Sequence, residues 1–171
     1  FVDPARVPGL SRAGIVREEA RIHLGYPVLA DAPELTAALR AALSPFAARP
    51  GGTEVNTEWR FTAVTAEVVG VRLSTGAATA RGWVKELRTI WYDRAARRAL
   101  PSAALIARPA ELTELVARRL RAQGVGVVPR TFPSLGFNRR GDLVAEFGDG
   151  TLAPVAQGRI AVAVPLGEAE P

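Results

Sequence analysis

The 171-residue sequence predicts an α+β domain. Val55, Thr57, Trp59, Phe61 and Ala63 alternate with Glu54, Asn56, Glu58, Arg60 and Thr62, the two-residue period of a strand with one buried face. Leu35, Leu39, Ala42, Leu43 and Phe46 recur at helical spacing, and so do Leu112, Leu115, Val116 and Leu120. Leu135–Phe137 and Leu143–Phe147 flank Asn138-Arg139-Arg140-Gly141, a hairpin turn signal. With 48% hydrophobic and 23% charged residues, the chain can bury a core without a disulfide or metal staple.

Taken in order, Phe1–Gly14 holds Pro4, Pro8, Gly9 and Gly14 without a period. It reads as a linker or arm, which leaves 15–171 as the domain, with two small lobes (15–75 and 76–171) as the alternative division. Ala20, Ile22, Leu24 and Tyr26 alternate with Arg21, His23 and Gly25, a half-buried strand ended by Pro27. Asp31-Ala32-Pro33-Glu34 has capping-box spacing and opens the first helix, which stops near Pro50-Gly51-Gly52. After the 55–63 strand and a turn at Ala66-Glu67, Val69, Val71 and Leu73 make another strand. Residues 83–93 fit either state: Trp83, Leu87, Ile90 and Trp91 suit a helix face, whereas the aromatic and β-branched content suits a strand. Leu100-Pro101-Ser102 opens a short helical turn over Ala103–Ala107. Pro109 starts the second helix, which ends at Gly124, and Arg159–Val164 is the closing strand.

The sequence begins at Phe1 and contains no Met, so it reads as a processed or excised piece of a longer chain. No apolar run approaches the roughly 18–20 residues that span a bilayer, and this piece is expected to be soluble, with no membrane partner. The absence of Cys excludes disulfides, thiolate catalysis and Cys-based zinc sites. Arg outnumbers Lys by 21 to 1, a skew expected of a GC-rich, actinobacterial genome. The net charge of +5 is unevenly placed. Residues 81–140 hold twelve Arg and one Lys against four acids, a local balance of +9, and the remainder sums to −4.

Several stretches together resemble one family. Thr75-Gly76-Ala77-Ala78-Thr79-Ala80 resembles its Thr-Gly-Gly-Ala-His-Gly loop. Ile90-Trp91-Tyr92-Asp93, with Arg97-Arg98-Ala99-Leu100 through Leu105-Ile106, resembles its Tyr-Asp strand and the turn that follows. Leu135-Gly136-Phe137-Asn138, Gly141-Asp142-Leu143-Val144, Ala153–Gly158 and Val162–Pro165 resemble its last hairpin and closing strand. Tyr26-Pro27-Val28 and the helix after it fit the companion segment that precedes them. The resemblance is to the RsiV-like extracytoplasmic domain, found as the outer part of the anti-sigma factor RsiV and before the catalytic domain of PdaC-type polysaccharide deacetylases. It implies an antiparallel sheet packed by two main helices, and a strand rather than a helix at 83–93. Thr79 stands where the family often has His, so no role of that His carries over.

The residues offer little catalytic chemistry. His23 is the lone histidine and falls on the polar face of its strand, whereas metal sites and Ser-His-Asp hydrolases need well-placed His. The carboxylates Glu18-Glu19, Asp142 with Glu146, and Asp149 fall in the linker, a hairpin and a turn rather than forming a glycosidase pair. Gly124-Val125-Gly126 follows a helix, the reverse of a dinucleotide fingerprint, and reads as a helix end. Trp59, Trp83 and Trp91 lie in apolar strand faces and are assigned to the core rather than to sugar stacking.

The Arg pairs have two readings, a solvated surface written in Arg by codon bias or a face for an anionic polymer. The concentration of charge selects Arg97, Arg98, Arg118 and Arg119 as that face, for wall phosphates or acidic glycans. Nucleic acid is not expected, because neither a motif nor interleaved aromatics accompany the charge. The expectation is thus a non-catalytic domain without cofactor or metal, extracellular or wall-associated. It would position a polysaccharide deacetylase, acting on peptidoglycan or chitooligosaccharide, at the cell wall, with the metal-dependent catalytic domain downstream of Pro171. Its partners would be a wall glycan or anionic wall polymer and that neighbouring domain. The alternative is the sensor domain of an RsiV-like anti-sigma factor, which would bind lysozyme. Lysozyme is basic, and two like-signed faces repel.

Overall fold

β-branched and aromatic residues at alternate positions build the larger of two sheets. Its strands are β1 (Leu10–Arg17), β2 (Ile22–Leu29), β3 (Val55–Val64), β4 (Val68–Thr79), β5 (Gly82–Asp93) and β6 (Arg98–Pro101), hydrogen-bonded in that order. Helix α1 (Pro33–Ala47) crosses over between β2 and β3, which run parallel; every other neighbouring pair is antiparallel. Helix α2 (Pro109–Ala122) leads to an antiparallel three-stranded sheet of β7 (Ser134–Phe137), β8 (Leu143–Phe147) and β9 (Ile160–Val164). The computed structural model describes residues 1–48, 54–80, 82–152 and 158–165. The α+β class and the strand at 83–93 are as expected, and among the described strands the parallel β2–β3 pair is the one exception to an antiparallel sheet.

Each sheet has its own apolar cluster. Leu35, Leu39 and Leu43 of α1 bury against Leu24, Phe61, Val71 and Tyr92 of the large sheet. Leu112, Val116 and Leu120 of α2 bury against Leu135, Phe147, Val162 and Val164. Buried polar contacts join the two layers at β5. The Trp91 indole N–H donates to the Leu135 carbonyl at 2.9 Å, the Thr89 and Ser134 hydroxyls meet at 2.7 Å, and the Ser102 hydroxyl donates to the Thr89 carbonyl at 2.7 Å. These groups are out of water, and the Ser102 hydroxyl also accepts the Leu135 N–H at 3.1 Å, so the junction is specific. The alternative lobe division at 75/76 would fall inside β4, in the middle of the large sheet.

Several expectations are corrected. The 1–14 stretch is partly regular: β1 starts at Leu10 and pairs with β2, Val7 is buried, and Val2 bridges Phe61. As an edge strand with mostly exposed side chains, β1 leaves no alternation to read. Glu18-Glu19 therefore lies in a 3₁₀ turn of the β1–β2 hairpin. Pro27 does not end β2, because β3 pairs only with Ile22–Leu24 and the missing N–H is tolerated beyond them. Thr75–Thr79 is the end of β4, not a loop; Thr75, Gly76 and Ala77 are buried, and the Thr79 hydroxyl donates to the Gly82 carbonyl at 2.8 Å. Asp31 does not cap α1, whose N-cap is Ala32 without a side-chain bond. Helix α2 ends as expected, with Gly124 just past it at φ +82°. The stop at Pro50-Gly51-Gly52 and the 153–157 part of the family motif lie outside the described residues.

Candidate functional site

The acids that look like a cap hold the β5–β6 turn instead. Glu34 accepts the Tyr92 hydroxyl at 2.8 Å and Arg97 Nε at 3.0 Å, while Asp31 accepts Arg94 Nη1 at 2.6 Å. The Tyr92 hydroxyl, a backbone bond and Arg97 together hold the Glu34 carboxyl below the usual range. Burial, then Glu34, pushes the Tyr92 phenol up, and Glu34 raises Arg97 further. Arg97, at φ +51°, is thus an anchor of the fold. Arg98 is exposed at the start of β6, Arg118 is exposed on α2, and Arg119 is half-buried there. The first Arg pair belongs to the large sheet and the second to the helix on the small one.

A different set of cations converges where the two sheets meet. On β4, Arg72 and Ser74 alternate with the buried Val71 and Leu73, so they face away from α1. Arg60 is paired with Arg72 across β3–β4, and Leu87 with Ser74 across β4–β5. These residues and Arg159 line a cleft of about 380 Å³, with Lys85, Glu58, Asp149 and the Phe1 ring at its walls. Arg60 and Arg72 sit 5.1 and 5.5 Å from the centre of that ring.

The electrostatics of the cleft are unbalanced. Arg72 Nη2 and Arg159 Nη1 both donate to Glu146 Oε2, at 3.0 and 2.8 Å, so one carboxylate serves two guanidinium groups. Arg72 is 11% exposed, and its buried Nε has no hydrogen-bond partner among the described residues. Asp149 is held by a reciprocal clasp: its Oδ2 accepts the Lys85 backbone N–H at 2.9 Å, and its own N–H donates to the Lys85 carbonyl at 2.9 Å. Among the described residues, neither Arg60 nor the Lys85 ammonium has a carboxylate partner. Such groups are available to an anion.

Trp83 corrects the assignment of all three Trp to the core. Trp91 is buried and Trp59 half-buried, but Trp83 is 41% exposed on the same face of β5 as Lys85. His23 is exposed on β2, opposite Val16. Among the described residues, no group of three or more His, Asp or Glu could hold a metal ion. A second groove, about 640 Å³ between α1 and β5–β6, is lined mainly by Ala38, Ala42, Ile90, Leu100 and Phe132 and carries little polar chemistry.

The cleft residues escape a reading by local clusters because Arg60, Arg72, Lys85 and Arg159 are scattered over a hundred positions. The usable signal is strand parity: Arg60 occupies a polar position in the clearest alternation of the sequence.

In fold the chain is similar to solved proteins of the DUF3298 family, whose fold is the RsiV-like one. A DUF3298 family protein from Pseudomonas aeruginosa PAO1 superposes with a TM-score of 0.69 at 13% identity, over 93% of this chain and 91% of that one. A member from Bacteroides fragilis NCTC 9343 superposes with a TM-score of 0.57 at 12% identity, over 85% of this chain and 81% of that one. No family model and no curated protein matches the sequence. The fold is therefore that of a DUF3298, RsiV-like domain.

Proposed function

We propose that this chain is a non-catalytic recognition domain of an exported protein, which holds a polysaccharide deacetylase at the cell wall by binding an anionic wall polymer. The observation that carries the reading is that, among the described residues, Arg60 and Lys85 in the inter-sheet cleft have no carboxylate partner. Support for the deacetylase setting comes from the sequence resemblance, and the DUF3298 fold is common to both readings. Support for a non-catalytic role comes from the residue inventory: one His, no Cys, and carboxylates such as Glu34, Glu146 and Asp149 committed to structural bonds. A lysozyme sensor is disfavoured by the same cations, since lysozyme is itself basic.

The test is co-sedimentation with purified cell wall across a salt series, with acetate release from acetylated chitooligosaccharide measured in parallel. The domain should sediment at low salt, release near 1 M salt, where the Debye length falls to about 3 Å, and liberate no acetate. Failure to sediment at low salt contradicts wall binding, and acetate release above a blank contradicts the non-catalytic role.

A further inference from the structure

We propose that the cleft and the Trp83 indole form one subsite, and that it takes a sugar ring bearing a carboxylate or phosphate. This rests on the wall-binding reading and names its ligand class. Trp83, Lys85 and Leu87 share one face of β5, and Arg72, Ser74 and Gly76 share that face of β4. Gly76 pairs with Lys85, and Ser74 with Leu87. Gly76 seats the indole: a Cβ at this position would overlap the Trp83 ring, so a residue with no side chain lets the ring lie against β4. The aromatic surface therefore begins one same-face position, about 7 Å, beyond Ser74 on the cleft floor.

The polar groups fit a charged sugar better than other anions. An exposed indole offers an apolar face to the C–H side of a pyranose. Arg60 and Lys85 are left to meet the anionic substituent. Glu58 and Asp149 sit among the cations and supply acceptors for ring hydroxyls. The aromatics here are Trp83 and Phe1, the latter packed by Arg60 and Arg72, which is not a run of platforms for successive bases. At about 380 Å³ the cleft is at the small end of ligand sites and suits one or two rings.

Titration calorimetry with a hexuronate tetramer, a hexose phosphate, neutral chitotetraose, inorganic phosphate and a single-stranded oligonucleotide tests the subsite. The two acidic sugars should bind at least tenfold more tightly than chitotetraose or phosphate alone. Trp83→Ala should weaken them about tenfold with unchanged thermal unfolding, and Trp83→Phe should restore most of the loss. Arg60→Ala with Lys85→Ala should weaken them by at least that much and flatten the salt dependence. Equal binding by wild type and Trp83→Ala overturns the subsite, as does phosphate binding as tightly as the sugars, or the oligonucleotide binding more tightly. Wall sedimentation separates the two claims. If wild type and Trp83→Ala sediment equally, the subsite fails and the wall reading stands; if wild type does not sediment, the wall reading fails and the titration alone decides the subsite.

Discussion

Glu146 of β8 accepts Arg72 of β4 at 3.0 Å across the junction of the two sheets, with side chains only 15% and 11% exposed. Arg159 shares the same carboxylate oxygen at 2.8 Å. The carboxylate thus joins the layers and neutralises part of a cleft whose remaining cations face solvent.

Removing that carboxylate leaves two guanidinium groups unpaired, one of them largely out of water. Glu146→Gln is expected to destabilise the fold by about 3 kcal/mol. Urea unfolding should show a lower midpoint with an unchanged slope. Glu111→Gln breaks an exposed pair, Arg108–Glu111, and should cost about 0.5 kcal/mol or less. Equal effects from the two variants would contradict the account.

The Glu34–Tyr92–Arg97 contact sets a pH dependence at both ends. Glu34 has a lowered folded pKa, so its contribution is present above the unfolded value of about 4.3 and is lost as pH falls through the lower folded value. Tyr92 has a raised folded pKa, so its contribution is complete below about 10 and is lost as pH rises toward the folded value. Glu34→Gln should flatten the acid limb of a stability–pH curve, and Tyr92→Phe the alkaline limb. Acid limbs that run parallel in wild type and Glu34→Gln would refute the first half.

The two apolar clusters should melt as one unit, because buried bonds from Thr89 and Trp91 join them. Leu39→Ala in the first cluster and Leu120→Ala in the second should each lower the same single thermal transition, by about 2–5 kcal/mol. Two separable transitions, each moved by one variant, would show two independent lobes.

Much of the fold was legible because both helices and β3 present a regular apolar period, and the Asn138 turn carries its own chemistry. The Asn138 side-chain oxygen accepts the backbone N–H groups of Arg140 and Asp142 at 2.9 and 3.0 Å. Elements shaped by tertiary context were not legible. β1 is an exposed edge strand, and the late part of β4 looks like a loop because Gly76 leaves room for Trp83. Asp31 and Glu34 have capping spacing, yet they are engaged by Arg94 and Arg97, some sixty residues away in sequence. The basic stretch at 81–140 drew attention to adjacent Arg pairs, whereas the cleft assembles single cations from β3, β4, β5 and the segment before β9. Sequence density of charge and spatial density of charge differ here.

On the proposed reading, the inter-sheet cleft, not the outer arginines, holds the wall polymer. The most direct measurement is the wall-bound fraction at low salt for two double variants of equal charge change. Arg60→Ala with Lys85→Ala should lose most of the binding, whereas Arg98→Ala with Arg118→Ala should bind nearly as wild type. The opposite order, or equal losses from both, would contradict the cleft as the binding site.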